Sequence, residues 1–152
     1  MKRVSIACSI TLAAAAFASA QSVPRELAGL AAKARLPSPV MSWCRGDLEP
    51  AGSAPFAVAI GSPGGRRYLV LQRNGATVEL ATYDGTPSLA CYTPAQARKL
   101  SATLSRSATI EGQIRPRWST TVVCGFVDNT TAVCWQYSLV ERKFVRVGGW
   151  TT

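Results

Sequence analysis

The 152-residue sequence contains no histidine, and charged residues make up only 16% of it. Histidine is the most frequent general base and metal ligand in proteins. Its absence excludes a Ser-His-Asp triad and a cysteine nucleophile activated by histidine. The sequence also contains no Cys-x-x-Cys pair, no zinc-ligand spacing and no run resembling a calcium loop. We therefore expect no cofactor and no bound metal.

Acidic residues are scarce as well. The sequence has eight aspartates and glutamates but seventeen lysines and arginines, so its formal net charge is +9. A positive surplus of this size favours acidic partners. We expect either an acidic component of the cell envelope or an acidic protein. We do not expect nucleic acid as a partner, because no nucleic-acid-binding motif accompanies the charge.

The sequence has one long apolar run, at its N terminus. Lys2 and Arg3 precede an apolar stretch over 4–17, and Ala18-Ser19-Ala20 has the small-x-small pattern of a cleavage site. The stretch is too short and too polar for a membrane span, which needs about 20 apolar residues. We predict a signal peptide over 1–20 that is cleaved before Gln21. The mature chain would be periplasmic or secreted, with no transmembrane segment.

Four cysteines remain after that cleavage: Cys44, Cys91, Cys124 and Cys134. An even number in a small exported chain predicts two disulfides, and four cysteines allow three connectivities. A three-residue turn over 128–130 would place Cys124 directly opposite Cys134 in a hairpin. This register favours a Cys124–Cys134 bridge, which leaves Cys44 to pair with Cys91.

Proline and capping signals predict two helices. Pro24 stands where an N1 proline belongs, which predicts a helix over 24–35. Thr93 and Gln96 form a Thr-x-x-Gln capping box with a proline at N1, which predicts the start of a second helix. These two helices are long enough to cover one face of a sheet.

Short runs with period-2 alternation predict the strands, which begin near residue 55 and include one over 110–114. Short connections between them favour antiparallel neighbours. We therefore predict an α+β fold: a mainly antiparallel sheet of about six to seven strands with two helices, stapled by two disulfides. The single domain 21–152 would place the first helix and a loop in 21–54, and the sheet with a central helix in 55–152.

The Asn-Gly dipeptide at 74–75 is the strongest hairpin signal in the chain. A two-residue loop at this point places Leu71 opposite Val78 and Leu69 opposite Leu80. All four side chains would then share one apolar face, so the turn chemistry and the hydrophobic pattern agree.

The cations supply candidate contact residues. Some lie on the exposed side of the second helix, and others lie in the segment before the disulfide hairpin, where an indole flanked by arginines could stack against an anionic glycan. Our first hypothesis is a non-enzymatic binding or inhibitor-like module of the cell envelope or the extracellular space. Its predicted binding residues are Arg98, Lys99, Arg106, Arg115, Arg117 and Trp118.

Two other hypotheses remain open. Glu79 and Glu111 each fall in a predicted strand and could act as the paired carboxylates of a small, histidine-independent hydrolase of cell-wall glycans. That reading requires both carboxylates to face one cleft at a separation of roughly 5–10 Å. The other hypothesis is a purely structural envelope protein.

Overall fold

The structure is a computed structural model that describes residues 22–84, 88–104, 114–127 and 130–151. The predicted signal peptide, Gln21 and most of the predicted strand over 110–114 lie outside these residues. Besides a short 3-10 helix over Pro50–Gly52, the described residues contain two α-helices and eight strands. They are α1 (Arg25–Lys33), β1 (Val40–Arg45), β2 (Phe56–Ser62), β3 (Gly65–Leu71), β4 (Thr77–Tyr83), β5 (Ser88–Tyr92), α2 (Pro94–Leu104), β6 (Val122–Phe126), β7 (Thr131–Ser138) and β8 (Lys143–Thr151).

The strands form two antiparallel sheets of four. The first sheet has the order β1-β2-β3-β4 and the second sheet the order β5-β6-β7-β8. The α+β class and the two helices are confirmed, but the prediction of one sheet with six to seven strands is wrong. Strand β1 is not among the predicted strands, because Val40–Arg45 lies in a stretch whose prolines and glycines predict a loop.

Helix α1 covers the outer face of the first sheet. Leu27 is fully buried against Phe56, Val58 and Ile60 of β2. These three side chains point to the same side of the strand because side chains alternate between the two faces. The opposite face of β2 carries only small residues, which allows a second layer to approach closely.

The second sheet packs against that opposite face. Ala57 and Ala59 of β2 belong to a buried cluster with Tyr68 of β3 and with Val123 of β6. The Tyr68 hydroxyl donates a hydrogen bond to the carbonyl of Phe126 and so links the two sheets. Burial raises the pKa of Tyr68 above its ordinary value of 10, so its hydroxyl remains a protonated donor into the alkaline range.

Helix α2 covers the outer face of the second sheet. Ala97 is fully buried in a cluster with Val122, with Trp150 and with the bridged pair of Cys124 and Cys134. The predicted capping box is confirmed. Thr93 Oγ1 accepts a hydrogen bond from the Gln96 amide, and Gln96 Oε1 accepts one from the Thr93 amide. The layer order is therefore helix, sheet, sheet, helix.

The two disulfides join Cys44 to Cys91 and Cys124 to Cys134, which are the pairs that the sequence predicts. Cys124 lies directly opposite Cys134 in the β6–β7 ladder, as the three-residue turn requires. The other bridge connects β1 of the first sheet to β5 of the second sheet.

The predicted register of the β3–β4 hairpin is wrong by one residue between the turn and a bulge at Tyr68/Leu69. Beyond the bulge, Tyr68 lies opposite Ala81, as the predicted register requires. Leu71 lies opposite Thr77 instead of Val78, and Val78 lies opposite Val70. The loop has three residues instead of two. The Gln72 amide bonds to the Ala76 carbonyl, and Gly75 adopts φ 89° to close the turn. Because a slip of one residue exchanges the two faces of a strand, Val78 faces the second sheet while Leu71 faces α1.

Candidate functional site

Positive charge is concentrated in the half of the sequence that builds the second sheet. Residues 22–84 hold seven basic and five acidic residues, whereas residues 88–151 hold eight basic and only three acidic ones. In the first half, Glu26 and Glu79 form ion pairs with neighbouring arginines. Glu26 pairs with both Arg45 and Arg73, at 3.1 Å in each case. The surplus of positive charge is therefore carried mainly by the second half, which has a net charge of +5 (8 − 3) against +2 (7 − 5) for the first half.

The segment 114–120 runs across the outer side of the second sheet and is held there by the side chain of Gln136. Gln136 is fully buried. Its Nε2 donates hydrogen bonds to the carbonyls of Trp118 at 2.9 Å and Thr120 at 2.7 Å. Its Oε1 accepts a hydrogen bond from the Arg117 amide at 2.9 Å. One buried amide group thus fixes the backbone of the segment that carries Arg117.

Two further contacts tie this segment to its neighbours. The Ile114 amide donates to Ser101 Oγ of α2 at 3.1 Å. The Arg115 amide donates to the Val147 carbonyl of β8 at 2.8 Å. Segment 114–120 and helix α2 therefore belong to the same outer layer of the second sheet.

The structure places most of the predicted binding residues on this layer. Arg98 and Lys99 are exposed on α2, and Arg115 and Arg117 are exposed on the segment. None of the four forms an ion pair with a carboxylate among the described residues. We call these four side chains the cationic face.

Two members of the predicted set are not part of the cationic face. Arg106 lies outside the described residues. Trp118 is half-buried and packs against the core cluster beneath α2, beside Ile114. Its indole therefore contributes to the core that supports the segment.

The turn between β7 and β8 exposes two large apolar side chains that are not among the predicted binding residues. Leu139 is 47% exposed and Val140 is 85% exposed. The Ser138 carbonyl accepts a hydrogen bond from the Arg142 amide, and Ser138 Oγ accepts one from the Glu141 amide. A signal was available, because turns usually carry Gly, Asn, Asp, Ser or Pro and not an adjacent leucine and valine.

Glu79 is not arranged as a catalytic acid. Its carboxylate accepts a hydrogen bond from the Arg67 guanidinium at 2.7 Å and one from the Thr82 hydroxyl at 2.9 Å. The hydrogen bond from Arg67 is the main reason that the pKa of Glu79 lies below its usual value. A general acid needs the opposite shift. Glu111 lies outside the described residues, so its distance from Glu79 is not defined.

Replacing Glu79 with glutamine should lower the free energy of unfolding only slightly, by less than about 1 kcal/mol, because the pair is largely exposed. A lowered folded-state pKa stabilises the protein above the ordinary value of 4.5, and this stabilisation is lost as the pH falls through the folded-state pKa. Urea unfolding of both proteins at several pH values should therefore converge in acid. A difference in the free energy of unfolding between the two proteins that widens in acid would contradict a stabilising ion pair between Arg67 and Glu79.

A cleft of about 300 Å³ lies where β1, β5 and the start of α2 meet. Arg45 and Arg73 line it, together with Asp47, Thr93 and Gln96. Both arginines bind Glu26, and Thr93 and Gln96 are engaged in the capping box. The cations of this cleft are thus already neutralised in part, unlike those of the cationic face.

Comparison of the chain with protein-family models, with curated proteins and with solved structures finds no match. Among the described residues, no helix has the length and apolar character needed to cross a membrane. Two disulfides fit a protein that resides in an oxidising compartment, outside the cytoplasm.

Proposed function

We propose that this chain is an exported, non-enzymatic binding module that recognises an acidic partner in the cell envelope. The observation that carries the proposal is the cationic face: Arg98, Lys99, Arg115 and Arg117 are exposed without an ion-pair partner among the described residues. Cations placed in this way are free to pair with charges on another molecule. They also steer its approach over a distance of about one Debye length.

The support beneath the cationic face favours binding. Gln136 fixes the backbone of the segment that carries Arg117, and the Arg115 amide bonds to β8. A cation on an ordered backbone loses less conformational freedom when it binds than one on a mobile loop. The two disulfides further stiffen the domain.

Binding to a soluble polyanion tests this proposal, and dextran sulfate is a suitable probe because it contains no lipid. We expect Arg115→Gln/Arg117→Gln to weaken binding by roughly ten-fold or more at low salt. We also expect the slope of log K against log[salt] to become shallower by about two, as when two cation–anion contacts are removed. Isothermal titration over a salt series measures both quantities.

The matched control is Arg25→Gln/Arg35→Gln, which removes the same charge from two exposed arginines near the ends of α1. This variant should keep nearly all of the affinity. An equal loss in both variants would show that net charge, and not the cationic face, governs binding. No loss in the Arg115/Arg117 variant would remove these two residues from the site.

A further inference from the structure

The apolar tip, Leu139 and Val140, stands at the far end of the β7–β8 hairpin. The two side chains are adjacent, 47% and 85% exposed, and held by a hydrogen-bonded turn. Large apolar side chains that stay exposed to water on a projecting turn contribute none of the stabilisation that burial in the core would give. A surface of this kind is stabilised when something apolar covers it.

The three residues that follow the apolar tip, Glu141, Arg142 and Lys143, together carry one net positive charge. Arg142 and Lys143 are exposed within and directly after the same turn, with Lys143 also paired to Glu141. The segment that carries Arg117 runs beside the same end of β7, because Thr120 Oγ1 donates a hydrogen bond to the Tyr137 carbonyl. Arg117 of the cationic face, whose amide bonds to the Gln136 side chain, therefore lies only a few residues along β7 from the apolar tip.

Apolar side chains next to cations match the chemistry of an anionic bilayer surface. Acyl chains accept the apolar groups, while lysine and arginine remain at the level of the negatively charged headgroups. The shape also favours a bilayer, because the tip projects from the end of a hairpin. A soft lipid layer can receive a projecting turn, whereas a protein partner would need a matching pocket.

We propose that the acidic partner is the surface of an anionic phospholipid membrane, into which Leu139 and Val140 insert while the cationic face contacts the headgroups. This inference rests on the proposed function and names its partner. The association is peripheral and reversible, because two apolar side chains and a few cations bind far more weakly than a membrane span.

The experiment measures co-sedimentation of the oxidised protein with vesicles of phosphatidylcholine, with or without phosphatidylglycerol. The protein should bind only the vesicles that contain phosphatidylglycerol. Leu139→Ser/Val140→Ser should weaken that binding ten-fold or more and leave binding to dextran sulfate unchanged. Arg115→Gln/Arg117→Gln should weaken binding to both probes, with a loss of about five-fold per cation on vesicles.

Val23→Ser/Met41→Ser is the matched control, since Val23 and Met41 are 43% and 50% exposed at other places on the surface. It removes comparable apolar groups and should leave vesicle binding unchanged. Insertion itself is read from Val140→Trp, as the difference from the parent protein, whose four tryptophans supply the background. The added fluorescence should shift to the blue with phosphatidylglycerol vesicles and be quenched by brominated acyl chains. Thermal unfolding of each variant shows whether a loss of binding reflects a loss of fold.

The outcomes separate this inference from the proposed function. Binding to dextran sulfate without binding to phosphatidylglycerol vesicles would overturn the membrane inference and leave the proposed function standing. Vesicle binding that survives in the Leu139/Val140 variant would remove the apolar tip from the site. A concentration-dependent dimer that this variant abolishes would identify a second copy as the occupant, which also overturns the inference. Both proposals are supported if the Arg115/Arg117 variant loses binding to dextran sulfate and to vesicles, while the Leu139/Val140 variant loses binding to vesicles alone.

Discussion

Cys44→Ala/Cys91→Ala is expected to lower the free energy of unfolding by about 4 kcal/mol, which is a large share of the roughly 5–15 kcal/mol typical of a domain. The bridge closes a loop with a sequence separation of 47 residues, so its loss frees a long stretch of unfolded chain. The bridge also joins β1 to β5, the strands through which the edges of the two sheets meet. Urea unfolding under oxidising conditions measures the change.

The second disulfide provides the comparison. Cys124→Ala/Cys134→Ala opens a loop with a sequence separation of only 10 residues, for which the same chain-entropy argument gives about 3 kcal/mol. That bridge lies within the β6–β7 hairpin and links no second layer. A loss below about 1 kcal/mol for the Cys44/Cys91 variant would show that packing between the sheets is sufficient without the bridge.

Gln136→Met is expected to destabilise the protein by about 3 kcal/mol, although methionine has a similar volume. The glutamine amide binds three backbone groups within 3.0 Å, namely the Arg117 amide and the carbonyls of Trp118 and Thr120. A backbone group left unpaired in a buried position costs about 1–3 kcal/mol. Thermal and urea unfolding should both report the loss.

Thr120→Val is the matched control within the same segment. It removes one long hydrogen bond to the Tyr137 carbonyl, of 3.4 Å, and should cost less than about 1 kcal/mol. Gln136→Met should also weaken dextran sulfate binding, because the segment that carries Arg117 loses its anchor. Unchanged stability and unchanged binding would show that segment 114–120 is held by its apolar contacts alone.

Features set by local chemistry could be predicted from the sequence. The capping box of Thr93 and Gln96 depends on two residues three apart, and the pairing of Cys124 with Cys134 depends only on the length of the turn between them. Once that hairpin is fixed, Cys91 is the remaining partner for Cys44. These inferences need no knowledge of tertiary packing.

The number of sheets could not be predicted in the same way. In β2, Phe56 and Val58 face α1 while Ala57 and Ala59 face the second sheet, so both faces of the strand are buried. Such a run reads as one apolar segment, and its pattern does not reveal what covers each face. The register next to the β3–β4 turn could not be predicted because the turn chemistry is ambiguous. An Asn-Gly pair fits a three-residue loop with Gly75 at positive φ as well as a two-residue loop.

The cations of the candidate site could be predicted from the sequence, but the buried side chain that holds their backbone in place could not. Gln136 stands between Trp135 and Tyr137 in a strand, and only tertiary structure shows that its amide reaches the backbone of Arg117. The proximity of that segment to Leu139 and Val140 likewise depends on a contact between residues that are far apart in the chain, Thr120 and Tyr137.

The meander topology has a consequence for the order of folding. Each ladder of the first sheet joins strands that follow one another in the chain, so residues 22–84 can form their hairpins from local contacts before the second half is made. During N-to-C-terminal synthesis or export, Cys44 would then wait as a free thiol until Cys91 emerges 47 residues later. The inner face that carries Ala57 and Ala59 would stay uncovered over the same interval. The same interval therefore allows both mispairing of the cysteine thiols and incorrect assembly of the sheets, and it ends when β5 docks beside β1.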